Sequence, residues 1–64
     1  MELRIEDMTC SGCARSVTKA IHSVDPAAKV DADPAARKVM LQTGAEPTVI
    51  LKVLAEIGYP ATAI

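Results

Sequence analysis

Phenylalanine and tryptophan are absent from this chain, and tyrosine occurs once, at Tyr59. With no rings to stack on bases, no basic run and a net charge of −1, the sequence offers nothing to nucleic acid. The same scarcity decides the core, which must be built from Val, Ile, Leu and Ala, all of them plentiful. Cysteine occurs only at Cys10 and Cys13. Two are too few for a disulfide framework, and a bridge across so short a loop would constrain little of the unfolded chain. Long apolar runs are missing as well. Met1-Glu2-Leu3-Arg4-Ile5-Glu6 is charged and alternating, with nothing of signal-peptide or membrane-span length behind it. With Met1 as the start, the expectation is a cytoplasmic protein without membrane insertion. No repeat, linker or low-complexity stretch interrupts the 64 residues, so residues 1–64 are expected to form a single domain.

What is present is ordered in alternating periods. Leu3 and Ile5 alternate with Glu2, Arg4 and Glu6 as in a half-buried strand. Ala14, Val17, Ala20 and Ile21 recur at helical spacing, with Arg15, Ser16, Thr18, Lys19 and His22 on the other side. Thr9 or Ser11 supplies a hydroxyl for the N-cap, and Asp25-Pro26 ends the helix or its trailing loop. Ala28, Val30 and Ala32 alternate with Lys29, Asp31 and Asp33 as a second strand. The turn Asp33-Pro34-Ala35-Ala36, with Pro in its favoured second position, leads to a third strand. There Val39 and Leu41 face one way and Lys38, Met40 and Gln42 the other. Gly44 breaks that strand, and Pro47 suits the first turn of a second helix whose stripe is Val49, Ile50, Val53, Leu54 and Ile57. Gly58 fits a left-handed helix stop, and Tyr59 to Ile64 is long enough for a last strand. The order β-α-β-β-α-β predicts an α+β, ferredoxin-like fold, with two helices on one face of a four-stranded antiparallel sheet.

Cys10-Ser11-Gly12-Cys13 falls where the first strand gives way to the first helix. A helix start presents unpaired N–H groups and the positive end of the dipole, which favour the thiolate, the form that binds metal or attacks disulfides. In a reducing compartment a lone Cys-x-x-Cys is metal-binding or redox-active. Two thiolates with no nearby third donor suit Cu(I), and Hg(II) by the same softness argument. A structural Zn(II) site would need four ligands. His22 cannot easily join, lying nine residues past Cys13, about half a turn round and two and a half turns along the helix. The other chemistry open to the pair is thiol–disulfide exchange, against which stand the short chain, no proline within the pair and no aromatic before it. Burial of both sulfurs as small hydrophobes conflicts with a surface junction containing Gly12. No general base or nucleophile–base pairing is visible elsewhere, so no enzyme activity is expected.

Met8-Thr9-Cys10-Ser11-Gly12-Cys13-Ala14 after a first strand, with Gly58-Tyr59 before a last one, resembles the heavy-metal-associated domain family. The likeness spans the whole chain, and is strongest to the small cytosolic copper chaperones of bacteria and to the N-terminal metal-binding domains of copper-transporting P-type ATPases. The resemblance implies that Cys10 and Cys13 bind Cu(I), that Met8 tucks inward to brace the loop, and that Tyr59 packs beside the site. It also implies a partner, the metal-binding domain of a copper-transporting P-type ATPase, reached by thiolate ligand exchange; a metal-bridged homodimer is a further form. The family usually has Gly before the Met, where this chain has Asp7.

The remaining candidates are weaker signals. Thr9 and Ser11 are positioned to bond the loop backbone or the sulfurs, or simply to cap the helix. Arg15 and Lys19, four apart with no acidic residue between Cys10 and Val24, are either an ordinary solvated face or a basic docking surface for an acidic partner. His22 reads as a solvated residue near the negative end of its helix. Met40 reads as an exposed strand methionine.

Overall fold

A computed structural model describes residues 1–64. Its elements follow the expected order: β1 (Glu2–Arg4), α1 (Ser11–Val24), β2 (Lys29–Asp33), β3 (Lys38–Gln42), α2 (Pro47–Glu56) and β4 (Thr62–Ala63). The four strands form one antiparallel sheet in the order β2-β3-β1-β4. Leu3 of the central strand β1 stands opposite Val39 on one side and Ala63 on the other. Both helices cover the face to which Leu3, Val39 and Leu41 point, giving the ferredoxin-like arrangement.

The core consists of eleven buried residues, all hydrophobic, among them Leu3, Ile5, Met8, Val17, Ile21, Val39, Leu41, Ile50 and Leu54. No polar or charged residue is buried. Any chemistry in this molecule is therefore confined to its surface loops and helix ends.

Each helix is terminated by identifiable groups. The Asp25 N–H donates to the Ile21 carbonyl at 2.9 Å and closes α1. Its carboxylate accepts from the Thr43 hydroxyl at 2.6 Å and from the Ala27 N–H at 3.1 Å, fastening the end of α1 to the β3–α2 connection. His22 is exposed but not merely solvated: its Nε2 donates to the Ala28 carbonyl at 3.0 Å and ties α1 to the start of β2. After α2 the chain makes a Schellman stop. Gly58 takes φ 88°, its N–H reaches the Ala55 carbonyl at 3.2 Å, and the Tyr59 N–H reaches the Leu54 carbonyl at 2.9 Å.

Three local expectations need correction. The apolar stripe of α2 is narrower than its sequence suggests. Ile50 and Leu54 are buried, Leu51 and Val53 are half-buried, and Val49 and Ile57 remain 43% and 42% exposed. A ten-residue helix touching α1 and the sheet along one line fully covers only an i, i+4 pair. The last strand is Thr62–Ala63 and not the whole of 59–64, since Pro60 has no N–H to give the ladder. The β2–β3 turn extends to Arg37, which adopts φ 56° although it is not glycine. That conformation aims the Arg37 carbonyl at the Ile5 N–H, 2.8 Å away. It also lets the Arg37 guanidinium reach Glu6 at 3.3 Å, while Arg4 pairs with the same carboxylate.

Candidate metal centre

The loop between β1 and α1 is short and anchored at both ends. Ile5 is buried, the Met8 N–H closes a turn onto the Ile5 carbonyl at 3.2 Å, and Met8 is itself fully buried. A thioether so placed fills the space beneath the loop and holds Thr9 and Cys10 at the surface. Asp7 is exposed within this turn, and only Arg37 and Gly58 in the chain take positive φ. The backbone at position 7 therefore has no need of the glycine usual in the family.

Cys10 is extended, at φ −145° and ψ 168°, and serves as the N-cap of α1. Its Sγ accepts from the Cys13 N–H at 3.3 Å and its carbonyl from the Ala14 N–H at 3.0 Å. The cap is therefore a sulfur, and neither hydroxyl expected in that role fills it. Ser11 is the first helical residue, and Thr9 precedes the cap; both are exposed. Gly12 is dispensable on steric grounds, since a Cβ there would lie 3.8 Å from the Cys10 sulfur, an ordinary contact.

The two sulfurs are 2.9 Å apart, with Cys10 exposed and Cys13 half-buried. Both are free thiols. The Cys13 thiol is lowered from its ordinary value to about 7, chiefly by the hydrogen bond from Cys10, then by the Tyr59 hydroxyl and the Thr9 backbone N–H, with burial opposing. Tyr59 is delivered to this place by the turn at Gly58 and is half-buried. Its own phenol is pushed up, first by its bond to Cys13 and then by burial, with the charges of Cys13, Cys10 and Asp7 adding to the effect. Cys10, Cys13, Thr9 and Tyr59 thus converge on one spot, with Asp7 near enough to act on it electrostatically. Arg15 and Lys19 lie further along the exposed side of α1.

No third His, Cys, Asp or Glu joins the pair to complete a metal-binding cluster. Two thiolates at an exposed helix start can hold a soft ion of low coordination number and leave one side open to an incoming ligand. With metal–sulfur bonds of about 2.3 Å, a trigonal arrangement separates two sulfurs by about 4 Å. The pair would have to open by about 1 Å from its 2.9 Å separation to reach that geometry, and Cys10 is the more exposed of the two sulfurs. Sequence reasoning missed Cys10 as cap and Ile57 as a surface residue on the site's side of the molecule.

A family model described as the heavy-metal-associated domain matches residues 2–60. Among solved structures, a gold binding protein is 41% identical, with a TM-score of 0.92, over 95% of this chain and 94% of that one. The copper chaperone Atx1 from Synechocystis PCC6803, in a trimeric form, is 27% identical with a TM-score of 0.92, over 97% and 98% of the two chains. Oxidized MerP from Ralstonia metallidurans CH34 is 33% identical with a TM-score of 0.81, over 95% and 89%. No curated protein matches the sequence. No helix is long and apolar enough to cross a membrane.

Proposed function

This chain belongs to the heavy-metal-associated domain family, and from that membership we propose that it is a non-enzymatic carrier of Cu(I), a copper chaperone working as one domain over residues 1–64. The observation that carries the reading is the facing sulfur pair of Cys10 and Cys13, 2.9 Å apart at an exposed helix start with no third donor. A site of this kind holds a soft monovalent ion and lets it go to another thiolate, where a four-ligand site would retain it. The structural likeness to the copper chaperone Atx1 supports copper. The likeness to a gold binding protein and to MerP makes other soft ions the competitors to test.

Cu(I) is the cargo, and each side chain has a part in moving it. Cys10, exposed, is the sulfur that first meets a partner's thiolate. Cys13, set in the first helical turn and lowered in pKa, is the anchoring ligand. Transfer proceeds by stepwise replacement of one thiolate by another through a mixed-thiolate intermediate. Met8 braces the loop from below, Gly12 and Ser11 form the first turn, Thr9 gives its N–H to Cys13, and Tyr59 steadies the anchoring sulfur. Arg15 and Lys19 offer a positive face to an acidic partner, the metal-binding domain of a copper-transporting P-type ATPase. Two free thiols operate in a reducing compartment, which is why the cytoplasm is the proposed setting.

The test is an anaerobic titration with Cu(I) under a competing chelator and a reductant, with Hg(II) and Zn(II) run in parallel. One tightly held Cu(I) per chain and far weaker Zn(II) is the expected result. A stoichiometry of one ion per two chains identifies the metal-bridged homodimer. Cys13→Ser abolishes tight binding; a Cys13→Ser chain with full Cu(I) affinity sinks the assignment.

A further inference from the structure

The backbone of β2 is unpaired along its outer side. β3 turns its Val39 and Leu41 peptide groups toward β1: the Leu41 N–H donates to the Met1 carbonyl at 2.8 Å, and Leu3 stands opposite Val39. Antiparallel pairing alternates, so Lys38, Met40 and Gln42 face β2 and bond its Asp33, Asp31 and Lys29. The N–H and C=O groups of Val30 and Ala32 therefore point away from the sheet, and no turn, cap or loop bond meets them. The other edge strand, β4, has two residues, against five in β2. An open edge of that length is a template for a further strand. Its side chains restrict which one. Lys29, Asp31 and Asp33 are exposed on the face away from the helices, while Val30 and Ala32 are half-buried on the helix side. Lys29 and Asp31 have no ion pair within the chain, since those join Arg4, Arg37 and Lys38 to Glu6 and Glu2. A strand carrying one sign of charge would leave one of the two unmatched.

We infer that β2 is the pairing edge for a second copy of this chain, joined antiparallel about a two-fold axis at Val30. In that register each Val30 N–H donates to the Val30 carbonyl of the other copy. Each Ala32 N–H reaches the other copy's Ala28 carbonyl, which accepts from His22 at 3.0 Å and keeps a second lone pair. Lys29 of each copy stands opposite Asp31 of the other, so both unmatched charges are matched, twice over. On the helix side Val30 covers Val30, and Ala28 covers Ala32. An axis at Asp31 instead would set two carboxylates face to face, which disfavours that register. The product is one eight-stranded sheet with all four helices on the same side. The two-fold rotation sends the two Cys10–Cys13 loops to opposite ends of that sheet. Both stay open, so this pairing is distinct from a metal-bridged homodimer. α1 carries no carboxylate from Ser11 to Val24 and adds no attraction across the seam. A strand pair alone also falls short of the roughly 1,200 Å² of a stable complex, so the dissociation constant is on the order of 1 mM.

This pairing is independent of the copper reading and is tested on the full chain, reduced and free of metal. Proton–nitrogen correlation spectra are recorded from about 0.05 to about 2 mM, a range that brackets the expected constant. A mixture of isotope-labelled and unlabelled chain is then searched for a contact between Lys29 Hα of one copy and Asp31 Hα of the other, which non-hydrogen-bonded antiparallel pairs bring close. The Val30 and Ala32 amides shift with concentration, and that contact appears. Lys29→Asp and Asp31→Lys each weaken association about tenfold, and the double charge swap restores it to within about threefold. Both positions are exposed and unpaired in the single chain, so the variants keep the fold. Amide shifts that do not change on dilution overturn the inference. So does a double variant as weak as the single ones. Association that appears only once Cu(I) is added also overturns it, and assigns the contact to the cysteines.

Discussion

Met8 separates packing from ligation, because it is a soft donor two residues before Cys10 and yet fully buried. If its role is to fill space, the cost of replacing it depends on volume alone. Met8→Ala empties a core position and costs about 2–5 kcal/mol. A 64-residue domain has only about 3–10 kcal/mol of stability, so this change removes much of it. At about 4–8 °C per kcal/mol, the melting temperature falls by about 10 °C or more. Met8→Leu keeps the volume and costs under about 1.5 kcal/mol. The assay is urea unfolding of the reduced, metal-free protein, followed by chelator competition for Cu(I) on the leucine variant. The expected outcome is near-native stability and Cu(I) affinity within about threefold of the parent, or about 0.65 kcal/mol. A leucine variant that folds normally but binds Cu(I) a hundredfold more weakly, a loss of about 2.7 kcal/mol, refutes the reasoning and makes the thioether a ligand.

Two further outcomes follow from the helix ends. Gly58→Ala meets no neighbour within 4 Å but must hold φ 88°, so it costs about 1–2 kcal/mol through the backbone alone; an unchanged thermal melt would show that the α2 stop tolerates another conformation. Asp25 is held below the usual carboxylate range, first by the Thr43 hydroxyl and then by the Ala27 and Gly44 N–H groups, with His22 nearby. A lowered folded pKa contributes stability that is complete above the unfolded value, about 3.9, and is lost as pH falls through the folded one. Urea midpoints at pH 7 and pH 3 therefore fall further in the parent than in Asp25→Asn, and equal falls in the two proteins would refute the assignment.

Much of the fold was legible because its signals are periodic. The alternation around Leu3, Val39 and Leu41 and the 3.6-residue spacing of Val17, Ala20 and Ile21 each bury the residues they predict. Punctuation served as well: Pro47 opens α2 and Gly58 closes the turn after it. The failures lie where a residue acts outside its usual type. Hydroxyls are the common N-caps, so Thr9 and Ser11 were the natural candidates, but the extended residue is Cys10 and its sulfur accepts the bond. Positive φ belongs to glycine by default, so nothing marked Arg37. Periodicity also cannot say how wide a helix's buried stripe is, which depends on what packs against it, and Val49 and Ile57 were misplaced for that reason. At the site, the cysteine spacing was informative by itself. The approach of Tyr59, 46 positions after Cys13, had no local signal and came only through the family resemblance.

That a sulfur caps α1 sets stability and function against each other at a single atom. Serine is among the best N-caps, whereas a thiol is a poor hydrogen-bond acceptor. Serine at position 10 would thus strengthen the first turn of the helix and, on the proposed carrier reading, remove one of the two ligands. On that reading, selection for a sturdier fold alone would drift toward a chain that cannot carry its ion, and a cysteine at residue 10 is kept at the expense of the helix it begins.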